Sequence, residues 1–539
     1  MTMFGDAHLR PRAANFQPLT PVSFLAGARE AHPARPAVIW RDLAWDYAGL
    51  HAMAVRMARA LERAGVGAGD VVSIVARNRP EMLAAHFAVP SIGAVLSTLN
   101  VRLDADALAY VLDHSRSRLL LVDPACAGPA MQAVARAGVP CLTLADPGAA
   151  PEGDALDLLS PGPDEAADAL RTDALADEWG PVCVNYTSGT TGAPKGAVYH
   201  ARGAFLNAMG NALALGFGPA TRYLWTLPMF HCNGWSHAWA VTAAGGTHVC
   251  LDAVEPGLVL GLIDRHEVTH LCCAPVVLHM LLADPAARGL REAGRRVRVG
   301  TGGAAPSAGL IERLQEIGFE LTHLYGLTES YGPATICHLG EGMEGAPPER
   351  KAAWLARQGF RHAASGAVRI ADAGGADVPA DGASPGEILL RGNTLMAGYL
   401  RDPEATEAAF ADGWLRTGDV AVRDADGAIR ITDRAKDVIV SGGENISSLE
   451  VEAVLQRHPS VLLAAVVAMP DETWGEVPCA CVELRPDRAG DAAELDAFCR
   501  GRLAGFKVPR RYRFGELPKT ATGKIQKFLL RELVRGGAP

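Results

Sequence analysis

Between residues 20 and 143 the chain alternates two kinds of segment, and that alternation restricts the folds open to it. Stretches with apolar residues along one helical face, such as Leu50-His51-Ala52-Met53-Ala54-Val55-Arg56-Met57-Ala58-Arg59-Ala60-Leu61, alternate with short apolar runs such as Val71-Val72-Ser73-Ile74-Val75-Ala76 and Leu119-Leu120-Leu121-Val122. Short apolar runs suit strands buried on both faces, and strands spaced by amphipathic helices build mostly parallel sheets covered by helices. A chain of 539 residues exceeds the ~250 to 300 at which a single core stops growing, so several subdomains are expected. The Ala-, Pro-, Gly- and Asp-rich stretch 144–180 reads as an irregular connection with one short helix, and a second α/β segment follows from 181 to about 360. Residues 361–433, with Gly386-Glu387-Ile388-Leu389-Leu390-Arg391-Gly392 and Ala428-Ile429-Arg430-Ile431-Thr432, read as antiparallel strands closing a small barrel. The remainder is long enough for a separate α+β domain. The expected fold class is therefore α/β: a large N-terminal domain over 1–435, made of two α/β sandwich subdomains and a small β-barrel, and a small α+β C-terminal domain over 436–539.

The run Tyr186-Thr187-Ser188-Gly189-Thr190-Thr191-Gly192-Ala193-Pro194-Lys195-Gly196 concentrates aliphatic hydroxyls, glycines and one cation. Glycines let backbone N–H groups turn inward, and hydroxyls and an ammonium add donors, which is the chemistry of a polyphosphate-binding loop. Pro181-Val182-Cys183-Val184-Asn185-Tyr186 reads as a short buried strand leading into it. The kinase-type loop, G-x-x-x-x-G-K-[ST] opening a helix, is excluded. Pro194 precedes Lys195, Gly196 follows it, and pre-proline Ala193 is pushed toward extended geometry, so no helix opens on the lysine.

Further motifs follow in order: Pro228-Met229-Phe230-His231, Gly302-Gly303-Ala304-Ala305-Pro306, Tyr325-Gly326-Leu327-Thr328-Glu329, Thr417-Gly418-Asp419, Asp433-Arg434-Ala435-Lys436-Asp437, Gly442-Gly443-Glu444-Asn445 and Pro518-Lys519-Thr520-Ala521-Thr522-Gly523-Lys524. Together with the hydroxyl-rich loop they resemble the signature of the adenylate-forming superfamily of acyl-CoA synthetases, luciferases and peptide-synthetase adenylation domains, over residues 20 to 530. The Phe-His-Cys-Asn-Gly-Trp run at 230–235 is similar to bacterial medium-chain acyl-CoA ligases and 3-methylmercaptopropionyl-CoA ligases.

The resemblance implies an ATP-dependent acid–CoA ligase using ATP, Mg2+ and coenzyme A. Thr187, Ser188, Gly189, Thr190, Thr191, Gly192 and Lys195 would hold the β- and γ-phosphates, with Thr190 and Glu329 as oxygen ligands of Mg2+, a hard cation. Gly303, Ala304, Ala305, His323, Tyr325, Gly326 and Thr328 would form the adenine and phosphate slot, and Asp419 would accept from the ribose hydroxyls beside Arg434. Lys524 would bridge the acyl carboxylate and the α-phosphate during adenylation. Rotation of a mobile C-terminal domain about Lys436 would then withdraw Lys524 and bring in Ser441, Gly442, Gly443 and Glu444 for CoA, whose anionic end would meet Phe506, Lys507 and Arg510. His231 is a candidate gate, and His231, Trp235, Gly302, Gly303, Tyr331, Gly332 and Pro333 are candidates for the acyl cavity, with Trp235 shortening it toward short- to medium-chain aliphatic acids.

Bulk properties agree with this reading. The net charge of −9 argues against general nucleic-acid binding, yet from Arg502 onward ten cations face only Glu516 and Glu532, which suits an anionic ligand. No apolar stretch approaches the ~18 residues of a membrane span, and Met1-Thr2-Met3-Phe4-Gly5-Asp6 lacks the pattern of a secretory leader. Eleven cysteines without C-x-x-C spacing read as reduced, mostly buried thiols of a cytoplasmic protein. His231, Cys232 and His237 do not have the spacing of a zinc site. Expected partners are a small carboxylic acid, ATP and CoA, in a chain compatible with a homodimer. Two other readings stand beside this one: an adenylating enzyme that delivers to a carrier protein, and a non-catalytic nucleotide-binding regulator.

Overall fold

The apolar runs form strands, and they pair in parallel. In the computed structural model, which describes residues 7–146, 155–160, 169–187, 193–302, 308–340, 342–343, 345–486, 488–519 and 525–535, Val71–Val75 lies between Val95–Leu99 and Ser117–Val122, parallel to both. The helix Tyr47–Arg63 begins where Asp46 accepts from Gly49 N, a side-chain cap. It buries Leu50, Met53, Ala54, Met57 and Leu61, the apolar face the sequence carries.

Two large sheets result. One has seven strands in the order Gly398–Tyr399, Lys195–His200, Pro181–Thr187, Val95–Leu99, Val71–Val75, Ser117–Val122 and Cys141–Thr143. The other has nine, running from Phe360–Arg361 through Gly332–Cys337, Phe319–Leu327, Val297–Thr301, His270–Cys273, Arg222–Leu224 and Thr247–Cys250 to Pro36–Trp40 and Leu43–Asp46. The two sheets do not divide at 144–180 as the sequence segments did. The N-terminal hairpin joins the nine-stranded sheet through Val38↔His248, and Pro181–Thr187 joins the seven-stranded one through Leu96↔Cys183. Periodicity reports that a segment is a strand and is silent on its partner, which tertiary packing chooses. Arg77, which follows the Val71–Val75 strand, pairs with Asp123 of its own sheet at 2.8 Å and with Asp252 beyond the other at 3.3 Å. Fully buried Arg79 binds Glu81 and Asp123 beside it, so ionic contacts with little tolerance for rearrangement lock the junction.

The antiparallel strands expected over 361–433 are Ala367–Ala371, Gly386–Arg391, Leu415–Arg423 and Ile429–Arg434, one four-stranded sheet. Among the described residues of 144–180 there is no helix. After Lys436 come a five-stranded sheet, in which Val461–Asp471 and Gly475–Leu484 form the long central hairpin, and the helices Ser448–Leu455, Ala492–Arg500 and Lys527–Arg535. One apolar cluster gathers residues between Val22 and Ile429, whereas two others draw only on residues from Ile439 onward. Where these bodies meet, the Asp433 carboxylate accepts from Ser448 N and Ser448 Oγ, Ser447 Oγ donates to Thr432 O, and Arg531 pairs with Asp437. Exposed Lys436 lies between these ties. No helix among the described residues is long and apolar enough to cross a membrane.

Candidate active site

The hydroxyl-rich loop closes a hairpin. Pro181–Thr187 and Lys195–His200 are antiparallel, and Thr187 stands opposite Lys195 at the hairpin's end. Lys195 therefore begins a strand rather than a helix, in line with the extended geometry expected at pre-proline Ala193. Its ammonium lies 3.7 Å from Asp402 and 5.1 Å from the centroid of the Tyr399 ring. The Tyr399 hydroxyl donates to Glu329 Oε1 at 2.6 Å. One tyrosine thus touches both the loop cation and the carboxylate expected to serve Mg2+. Glu329 is held further by its backbone, whose carbonyl accepts from Met396 N at 2.8 Å, and by the neighbouring Thr328 carbonyl, which accepts from Tyr199 Oη at 2.8 Å. The half-buried Glu329 carboxylate is a hard oxygen donor, the chemistry Mg2+ selects. Gly326 is required here: a Cβ would run into the Gly332 carbonyl.

A second constellation stands at the other end of the same segment. Tyr325 Oη donates to Asp419 Oδ2 at 2.8 Å, and Arg434 Nε lies 3.0 Å from Asp419 Oδ1. Strand register makes this possible, since Asp419 and Arg434 are paired across adjacent antiparallel strands. Burial, reinforced by the Asp419 charge, drives the Tyr325 phenol well above its usual value, so it remains a donor. A carboxylate has about four lone-pair positions; two are used here, and the others can take the two hydroxyls of a ribose. His323 is buried with Nδ1 against the Arg357 carbonyl, and burial lowers it to about 4, so it is neutral.

The candidate acyl side is built differently. Cys232, Asn233, Gly234, Trp235 and Ser236 all have positive φ, at 42°, 43°, 55°, 54° and 63°. Five consecutive left-handed residues form one left-handed helical turn, closed by Gly234 N to His231 O at 2.9 Å and Ser236 N to Asn233 O at 3.1 Å. Left-handed geometry costs about 1–2 kcal/mol for each ordinary residue, which is why it is normally visited one residue at a time. Gly234 cannot be anything larger, because a Cβ would lie 2.6 Å from Trp225 Cζ3. Three asparagines hold the turn. Asn185 exchanges hydrogen bonds with Asn233; Asn207 Nδ2 donates to Ser236 Oγ at 2.8 Å and to Tyr331 O at 2.7 Å; Asn211 Nδ2 donates to Trp235 O at 2.8 Å.

Half-buried Trp235 is delivered by this turn onto Gly302, where a Cβ would stand 2.9 Å from Trp235 Cη2. Gly332, at φ 143°, abuts Asn207, whose Nδ2 would be 2.7 Å from a Cβ there. Half-buried His231 precedes the turn. Tyr331 turns inward instead: its ring is fully buried, stacks on Tyr199 at 3.7 Å and sets its hydroxyl 3.1 Å from Cys183 Sγ. Pro333 is buried beside it. The Cys232 thiol donates to Thr328 Oγ1 at 3.4 Å, and burial raises it to about 12, so it stays a thiol and is no nucleophile.

In the C-terminal part, Gly442 and Gly443 adopt φ of 59° and 87°, with Ser441 buried and Glu444 exposed. A Cβ at Gly442 would stand 2.6 Å from Trp474 Cε3. Phe506 and Arg510 are exposed, whereas Lys507 is paired with Glu450 at 2.7 Å. Several other basic residues of this region are engaged as well: Lys519 with Glu483, Lys527 with Glu452, Arg531 with Asp437. Ser188, Gly189, Thr190, Thr191, Gly192, Gly303, Ala304, Ala305 and Lys524 lie outside the described residues. Sequence reasoning missed Tyr399, Asp402 and the three asparagines. Asn207 and Asn211 did leave a signal, since two poor helix formers stand four apart on one face of an Ala- and Leu-rich helix, Ala201–Leu215.

The AMP-binding enzyme family matches over residues 25–400, and its C-terminal domain over 450–524. The chain is 42% identical over 548 residues to the peroxisomal acetate/butyrate–CoA ligase AAE7 of Arabidopsis thaliana, covering 98% of this chain and 96% of that protein. It is 40% identical over 547 residues to the 2-methylpropanoate–CoA ligase CCL4 of Humulus lupulus, covering 98% and 97%. ATP-bound MatB from Rhodopseudomonas palustris has a similar fold, with a TM-score of 0.81 at 26% identity over 95% of this chain and 98% of that one. With these matches spanning the hairpin, both constellations and the C-terminal sheet, the chain belongs to the AMP-binding enzyme family, as an AMP-forming acid–CoA ligase that uses ATP, Mg2+ and CoA.

Proposed function

We propose that the substrate is a short- to medium-chain aliphatic acid near butyrate in size, with the thioether acid 3-methylmercaptopropionate, isosteric with pentanoate, as a second candidate. One observation carries this: the Trp235 indole rests on Gly302, at the position the resemblance gives to the acyl cavity, and fills space a longer chain would need. The printed names of AAE7 and CCL4, ligases of acetate, butyrate and 2-methylpropanoate, support the short end of the range.

In the first half-reaction an oxygen of the acid attacks the α-phosphorus of ATP and expels pyrophosphate, giving an acyl-adenylate. Thr187 and Lys195, with the loop between them, hold the β- and γ-phosphates, and Lys195 exchanges Asp402 for a phosphate oxygen. Glu329, with Thr190, holds Mg2+, which offsets phosphate charge when bound. Asp419 takes the ribose diol beside Arg434, and Lys524 bridges the acid and the α-phosphate. In the second half-reaction the CoA thiol attacks the acyl carbonyl and AMP leaves. Residues 436–539 move as a domain about Lys436 between the two steps, a division supported by apolar clusters that do not cross that point. Ser441 to Glu444 then approach the acyl-adenylate, and Phe506, Lys507 and Arg510 meet the nucleotide end of CoA, whose phosphate displaces Glu450 from Lys507. Lys436→Pro is expected to impair thioester formation more than adenylation.

All eleven cysteines are free, which supports a reducing compartment such as the cytoplasm. Pyrophosphate release measured across acetate to dodecanoate, thioether acids and aryl acids, with and without CoA, tests the whole reading. Turnover peaking near butyrate and forming CoA thioester is the expected result. Best turnover with an aryl acid would remove the substrate assignment, and adenylation without thioester formation would favour delivery to a carrier protein.

A further inference from the structure

We infer that Asn207 and Asn211, on the helix Ala201–Leu215, are positioning residues for acyl-chain selectivity: they hold the left-handed turn that aims Trp235 at the acyl cavity. The inference rests on the reading above in one respect, that Trp235 limits chain length. It assigns that limit to residues that need not touch substrate.

The backbone from Cys232 to Ser236 would relax to right-handed or extended geometry if nothing opposed it, because three of its five residues, Cys232, Trp235 and Ser236, carry side chains that disfavour positive φ. What opposes it is a set of amides on neighbouring elements. Asn211 binds the carbonyl of Trp235 itself, and Asn207 binds the next side chain, Ser236. Asn207 also donates to the Tyr331 carbonyl, on the chain that leads into Gly332. One amide therefore sets the distance between the turn and the strand facing it. Both asparagines are fully buried, four residues apart on one face of the helix, where an amide is costly unless it is hydrogen-bonded. On the far side of the turn the indole lies close enough to Gly302 to leave no space for a Cβ there. Loss of either amide lets the turn relax and the indole swing away from Gly302, opening space for longer acids, while the nucleotide contacts of Asp419, Arg434 and Glu329 are untouched.

The test compares Asn211→Ala, Asn207→Ala, Trp235→Gly and each asparagine variant combined with Trp235→Gly, reading kcat/KM for butyrate and octanoate and KM for ATP. Asn211→Ser serves as the second variant should Asn211→Ala fail to fold. The expected result is a rise of about tenfold in the octanoate-to-butyrate ratio for each asparagine variant, the scale of one buried hydrogen bond, with KM for ATP within about twofold. In the Trp235→Gly background the same substitutions should leave the ratio unchanged. A general loss of turnover with an unaltered ratio means the amides only stabilise the fold, and overturns the inference. So does a ratio that still shifts when Trp235 is absent. If Trp235→Gly alone leaves the ratio unchanged, the assignment of Trp235 to the cavity fails as well, and that outcome is distinct from failure of the asparagine variants alone.

Discussion

The proposed nucleotide end and the proposed acyl end of this molecule are held in place by opposite means. At the nucleotide end, ordinary strands bring charged and phenolic groups together: Tyr325 with Asp419, Asp419 with Arg434 across a sheet, Glu329 with Tyr399. At the acyl end the backbone itself is strained, and neutral amides hold it there. The first arrangement handles a ligand whose phosphates and ribose are the same for every acid, so fixed regular geometry suffices. The second, on the proposed reading, faces the part of the substrate that differs from one ligase to another. A strained turn under a few hydrogen bonds can be re-aimed by changing those bonds, leaving the phosphate chemistry intact.

The largest break in that comparison comes from Lys524→Ala. If Lys524 bridges the acid and the α-phosphate as proposed, its removal should lower adenylation by about 10² to 10³, equally for butyrate and octanoate, while preformed butyryl-adenylate plus CoA still yields thioester. Stopped-flow pyrophosphate release and a thioester assay measure the two halves separately. A chain-length-dependent loss would mean the ends are not independent. Gly302→Ala strikes the other end. Its new Cβ would press on both the Leu324 carbonyl and the Trp235 indole, at 2.8 and 2.9 Å, and overpacking of this kind costs about 1–3 kcal/mol, which, borne by the bound acid, is roughly 5- to 150-fold in rate. The loss should grow with acid length in steady-state kcat/KM, with KM for ATP little changed. An equal loss for acetate and octanoate would detach Gly302 from chain selection.

How much of this was legible in the sequence follows the same division. The strands and the absence of a helix at Lys195 rest on local signals, apolar runs and a proline before the lysine, whereas the nearness of Arg434 to Asp419 came from the family resemblance and the hairpin that carries the loop from the structure. The partnering of the sheets was not legible, because Val38 and Cys183 announce a strand without announcing His248 or Leu96 as neighbours. Nor was the left-handed turn. Apart from Asn233 and Gly234, its residues disfavour that conformation, and the asparagines that hold it from outside, Asn185, Asn207 and Asn211, lie elsewhere in the chain. Tyr331 shows the limit from the other direction. Its place in a motif suggested a cavity wall, yet its ring is spent on packing against Tyr199.

The histidines sharpen the comparison in a different observable. Burial lowers His237 and His248 to about 3 and His270 and His362 to about 4, and neighbouring histidines add to the depression of His237. Unfolded chain takes up protons below about 6.5 that the fold refuses until those lower values. The unfolded state therefore binds more protons through that window, and stability falls as pH falls. Each such group contributes at most about a factor of ten in the unfolding constant per pH unit. The urea midpoint should drop between pH 7 and pH 5, and His237→Gln should flatten that dependence. A midpoint independent of pH would mean these rings are not buried as neutral imidazoles. The residues after Lys436 contain only His458, so the acid-labile part should be the larger body.

The smallest effect expected is that of Tyr399→Phe, and it asks whether the nucleotide end is as rigidly fixed as its geometry implies. The substitution keeps the ring over which Lys195 sits and removes only the 2.6 Å hydrogen bond to Glu329. Bonds to charged groups are worth about 1.5–3 kcal/mol when buried, but Glu329 is half-buried and water can replace the phenol. The change should therefore fall below that range. A rise of about three- to tenfold in the Mg2+ concentration needed for half-maximal adenylation is expected, with the acid profile and the maximal rate preserved at saturating Mg2+. If the Mg2+ requirement does not move, the segment Gly398–Asp402 packs against the metal carboxylate without orienting it. If the acid profile moves instead, the two ends communicate through Thr328, whose hydroxyl meets Cys232 at the first residue of the strained turn, and acid choice would then depend on how the nucleotide is held.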